Sequence, residues 1–134
     1  MTQEEKVKYW IDLSESDLQT AHTLIKNGHL LWGAFMCHQV IEKIFKGYFS
    51  ALKNEVPPFR HELDLLAKRG DFYDSLDEKQ KAFLDVLNPL NIEARYPEYK
   101  ARIFKSLNKE VCENLLKQVK LLQQWTIEKI SLKN

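Results

Sequence analysis

The chain has 134 residues, with 20 basic and 19 acidic side chains and a formal net charge of +1. That length fits one domain, at roughly 100 to 200 residues each, and sustains a core without metal or disulfide staples. At 44% hydrophobic and 29% charged it is too apolar for disorder. Four glycines and four prolines are too few for an all-β protein, and the balanced charge argues against a strongly electrostatic nucleic-acid binder.

Thr2-x-x-Glu5 is a capping box, opening a first helix that runs to about Asn27 and stops at Gly28. Val7, Ile11, Ser14, Leu18, Ala21 and Ile25 recur along it at three-four spacing. A second helix runs from about His29 to Asn54, and Pro57-Pro58 prevent its continuation. A short helix, His61 to Arg69, ends at Gly70. Ser75-x-x-Glu78 reads as another capping box, for a helix that reaches the Asn88-Pro89 break. Residues 91–100 read as irregular, and the last helix spans about Ala101 to Ser131. The predicted fold class is all-α, an up-down bundle of four long helices plus one short helix, in a single domain.

No basic region followed by an apolar stretch opens the chain, so no secretory signal is expected. No apolar run approaches the roughly 18 residues of a membrane-spanning helix, and the expected location is the cytoplasm. Cys37 and Cys112 lack CxxC spacing and read as two buried free thiols. No metal site or cofactor is expected.

The second helix is apolar on two faces. Ala34, Cys37, Val40, Ile41, Ile44, Phe45, Tyr48 and Phe49 fill one arc, while Trp32, Phe35 and Met36 begin the other. A helix apolar all round is buried on all sides. A second copy covering the extra face predicts a homodimer; alternatively the short helix and residues 91–100 cover it within the monomer.

Asp17 falls between Trp10, Ala21 and Leu24 and so points into the apolar stripe, where a carboxylate needs a cation or donors. His38, Glu42 and Lys46, each four residues from the next, stack on one helix face and offer partners. Such a row serves either as a buried network that fixes helix register or as a site for a ligand or partner. Pro97 biases Tyr96 away from helix, so Arg95 and Tyr96 sit on a stiff connection able to aim a guanidinium at Asp17 or Glu42, or at a phosphate. There is no glycine-rich phosphate loop, HExxH or nucleophile elbow. His22 and His29 read as solvated, and His61 as having a local structural role.

Together these segments resemble a known family. Asp17 in a first helix that ends at Gly28, followed by His38-Gln39-x-x-Glu42-Lys43-x-x-Lys46, resembles the core of the prokaryotic HEPN domains. His61-x-Leu63-x-x-Leu66 is similar to their short "H-x-L-x-x-L" helix, and Ala94-Arg95-Tyr96-Pro97 to their "ARYP" element. The resemblance covers roughly residues 10 to 125, and it implies a helical bundle that pairs into a homodimer. It also implies work beside a small nucleotidyltransferase, as in toxin–antitoxin systems. Many HEPN domains are metal-independent ribonucleases with an Arg followed four to six residues later by His. Here the arginines stand at 60, 69, 95 and 102, and no histidine follows 61.

The expectation is therefore a module with no catalytic residues, which binds a nucleotide or RNA or serves a nucleotidyltransferase. Its polar site is Asp17, His38, Glu42, Lys46, Arg95 and Tyr96. The alternatives are a divergent endoribonuclease using His38 or Tyr96, and a purely structural dimerisation adaptor. There is no DNA-specific signal and none for a membrane.

Overall fold

Hydrogen bonds at the helix ends set the architecture. In the computed structural model, which describes residues 1–92 and 96–133, Thr2 Oγ1 accepts from the Glu5 amide at 3.1 Å while Glu5 Oε1 accepts from the Thr2 amide at 2.9 Å. That box starts α1 (Gln3–Lys26). Gly28 then takes φ +83°, a conformation glycine adopts at no steric cost, and α2 (Leu30–Lys53) turns back to end on left-handed Asn54. The remaining helices are α3 (Leu63–Arg69), α4 (Glu78–Leu87), α5 (Pro97–Ser106) and α6 (Lys109–Ser131). No strand occurs among the described residues, so the fold is an all-α bundle.

Several helix starts differ from expectation. The box that opens α4 is Asp77 with Gln80, not Ser75 with Glu78. Buried Leu76 is extended, with ψ 142°, and this separates Ser75, in a 3-10 turn (Tyr73–Ser75), from the helix. The long last helix is in fact two. Asn108 Oδ1 accepts from the Val111 amide at 2.8 Å, starting α6 afresh, while Leu107 before it is extended. A side chain that caps well competes with helix continuation. Proline at the first helical position moves the start of α5 to Pro97, inside the segment expected to be irregular. The bundle thus has three long helices, α1, α2 and α6, with shorter ones across them.

α2 is the hub. It packs along α1 and α6 on one side and against α3 on the other, so almost every residue from Gly33 to Ser50 is buried. Close approach of α1 needs Gly33, where a Cβ would lie 2.5 Å from Ile25 Cγ1. On the far side Phe72 lies edge-on to Phe45 at 5.1 Å and tilted over Tyr48 at 4.5 Å. Of the second apolar face, Phe35 is buried and Met36 half-buried within the chain, while Trp32 at its start stays 46% exposed. Cys37 and Cys112 are buried and free; burial pushes the Cys37 thiol up to about 12, so it stays unreactive. No helix is long and apolar enough to cross a membrane among the described residues.

Candidate functional site

The row read from the sequence lies inside the bundle. His38, Glu42 and Lys46 are all buried on α2. Lys46 Nζ donates to Glu42 Oε2 at 2.9 Å and stands 5.5 Å from the Trp10 ring centroid. The other Glu42 oxygen, Oε1, is 3.8 Å from His38 Nδ1, too far for a hydrogen bond. It accepts instead from His61 Nδ1 at 3.0 Å.

His38 looks elsewhere for partners. Its Nε2 lies 3.0 Å from the His61 carbonyl oxygen, which can only accept, so Nε2 carries the proton. Nδ1 then holds a lone pair and accepts from Gln39 Nε2 at 3.3 Å. Burial drives its pKa down to about 4, so the ring is neutral at physiological pH. For Glu42, burial pushes the carboxyl upward, but hydrogen bonds and charge from Lys46 and the bond from His61 outweigh it. The carboxyl titrates below the usual range.

Asp17 does not join this row. It is partly buried at the α1–α2 seam, and its cation is Lys43, whose Nζ lies 3.2 Å from Asp17 Oδ2 and 2.9 Å from Gln39 Oε1. Lys43 and Gln39 thus link Asp17 to His38. A second polar link crosses three helices, from Gln123 Nε2 to Ser14 Oγ at 3.0 Å and from Ser14 Oγ to the Val40 carbonyl at 2.7 Å.

His61 is where the network meets water. Its side chain is 60% exposed, while that of Glu42 is 3% exposed. The residue lies on the connection ahead of α3, and the sequence reading gave it only a local role. Nothing in its spacing from Glu42, 19 residues away along the chain, pairs the two. With Nδ1–H directed at Glu42, Nε2 faces outward as an acceptor, or as a second donor when protonated.

The start of α5 approaches the same end of the bundle. Asn88 Oδ1 accepts from the Leu63 amide at 2.9 Å and Asn88 Nδ2 donates to Asp64 at 3.0 Å; the Tyr99 hydroxyl donates to the Pro89 carbonyl at 3.2 Å. Tyr96 precedes α5 and is 82% exposed. Arg95 lies outside the described residues. Among the described residues no group of three or more His, Cys, Asp or Glu side chains is arranged to hold a metal ion.

The buried row therefore has its charges paired within the chain, and one exposed imidazole extends it to the surface. No curated protein and no solved structure matches the chain. The HEPN domain model does match, over residues 7–130, which is nearly the whole length, and the chain belongs to the HEPN domain family.

Proposed function

We propose that this HEPN domain is a non-catalytic binding module. It pairs into a homodimer, binds a nucleotide through His61, Arg95 and Tyr96, and serves a nucleotidyltransferase partner in a toxin–antitoxin-type system. The observation that carries the reading is the commitment of buried Glu42 to exposed His61. It holds one ring nitrogen and leaves the other ready for a phosphate oxygen. Arg95 supplies a fixed positive charge and Tyr96 a ring for a base. Asp17, His38 and Lys46 support His61 from within and do not touch the nucleotide.

The test is thermal unfolding of the full chain with each of the common ribonucleotides, followed by light scattering. A ligand at 100 times its Kd stabilises by about 2.7 kcal/mol, a shift of several degrees for a domain of this size. The shift is expected to vanish in Arg95→Ala and His61→Ala while their ligand-free midpoints stay near that of the wild type. Equal shifts in wild type and variants, or none with any nucleotide, refute the site.

One observation favours a second reading, a divergent endoribonuclease. A carboxylate that orients an imidazole with its far nitrogen in solvent is the arrangement of a general base. His61 fits that role, whereas His38 has both ring nitrogens engaged in the interior. RNA cleavage by the wild type that is lost in His61→Ala establishes this reading; equal traces in both proteins reject it.

A further inference from the structure

α4 packs on α3 and scarcely meets α6, so the two helices stand apart and leave a groove of about 340 Å³ between them. Buried Phe83 and Leu122 form its floor, and Gln80 of α4 with Leu121 and Trp125 of α6 its walls. Leu121 is 63% exposed and Trp125 half-buried, while Val86, one turn after Phe83 on α4, is 52% exposed. Lys79 lines one bank, and on the other Lys129 Nζ stands 5.4 Å from the Trp125 ring centroid. No carboxylate among the described residues pairs with either lysine. Asp77 reaches the groove, but its Oδ1 already accepts from the Gln80 amide at 2.7 Å. Glu128 falls directly opposite buried Val119 round α6, on the solvent side of the helix.

We propose that this groove binds an amphipathic helix of a partner protein, one whose apolar stripe is flanked by Asp or Glu. Its large apolar side chains, at i, i+4 and i+7, seat on Phe83, Leu121, Leu122 and Trp125, and its carboxylates face Lys79 and Lys129. Two ridges at helical spacing with a gap between them suit a third helix: Gln118, Leu121, Leu122 and Trp125 recur along α6 as Gln80 and Phe83 do along α4. The charges choose among partners. A basic helix would meet two uncompensated ammonium groups, and an uncharged one would strip their water with nothing in return. The groove shares no residue with the Glu42–His61 pair, so it stands or falls apart from the nucleotide reading.

The experiment is fluorescence anisotropy of the full chain with two labelled synthetic helical peptides. Both carry Leu at i, i+3, i+4 and i+7; one is flanked by Glu and the other by Lys. The Glu-flanked peptide is expected to bind with a Kd of about 100 μM or tighter, and at least about fivefold better than the Lys-flanked one. Leu121→Ser, at an exposed position that leaves the core intact, weakens binding about tenfold. Lys79→Glu combined with Lys129→Glu reverses the preference between the two peptides, which loss of structure alone would not do. Circular dichroism confirms that each variant keeps its helices. Equal binding of the two peptides, no binding of either, or binding unchanged in Leu121→Ser overturns the proposal. So does light scattering that finds a dimer in the wild type and a monomer in Leu121→Ser, because the face then belongs to a second copy.

Discussion

Acidification should destabilise this protein through His38 well before its carboxylates protonate. In the folded chain burial holds the His38 ring neutral down to about pH 4, against 6.5 for an ordinary imidazole. The unfolded chain therefore binds the proton more readily, and the stability is full above pH 6.5 and lost as pH falls toward 4. At pH 5 an unfolded imidazole is protonated about thirtyfold over its neutral form, and the folded one only about one part in ten. The resulting loss between pH 7.5 and pH 5 is about 2 kcal/mol. Glu42, held below the usual carboxylate range, adds a loss of the same sign only at lower pH. Urea unfolding at pH 7.5, 6 and 5 measures this, with His38→Gln as the comparison, since glutamine can donate to the His61 carbonyl without titrating. The variant is expected to be less stable at pH 7.5 but to lose about 2 kcal/mol less on acidification. Parallel pH profiles for the two proteins would refute a neutral, buried His38.

Removing one member of the buried ion pair should cost far more than removing both. Glu42→Leu leaves Lys46 uncompensated and is expected to cost about 3–5 kcal/mol by urea unfolding, while Glu42→Leu with Lys46→Met recovers most of it. Asn88→Ala removes the acceptor of the Leu63 amide and a bond to Asp64, so a loss of about 1–2 kcal/mol is expected by the same assay. Asp77→Ala should cost about 1 kcal/mol and Ser75→Ala little, which separates the two capping registers. Gly33→Ala drives a methyl against Ile25 and should lower stability by about 1–3 kcal/mol, with partial rescue by Ile25→Val.

The features legible in the sequence were those set by periodicity and local hydrogen bonding. The stripe on α1, the Thr2–Glu5 box and the apolar surround of α2 needed no knowledge of distant residues. The i, i+4 pairing of Glu42 with Lys46 was legible for the same reason. The misread points are those where a neighbouring element decides. Leu63 has its amide capped by Asn88, 25 residues on, so no cap in its own segment marks where α3 begins. Asp17 found Lys43 and not the 38–42–46 row, because a stripe fixes a helix face but not which residue of the next helix lies level with it. The bond between His61 and Glu42 was not legible because His61 lies on an irregular connection, where no period predicts which way a ring turns.

The partition of Glu42 between its neighbours bears on what the network is for. Its Oε1 lies 3.8 Å from the buried ring of His38 and 3.0 Å from that of His61. A network serving only helix register gains most by closing on itself, because a buried acceptor bonded to a buried donor leaves nothing for water to compete for. Here the buried ring is turned so that its proton goes to the His61 backbone carbonyl and the carboxylate is left to the His61 side chain. Both buried groups thus hold one exposed residue, one through its main chain and the other through its imidazole. Ordering an exposed side chain costs rotamer entropy and returns little stability. The arrangement therefore makes better physical sense if the position of that imidazole matters to something outside the chain.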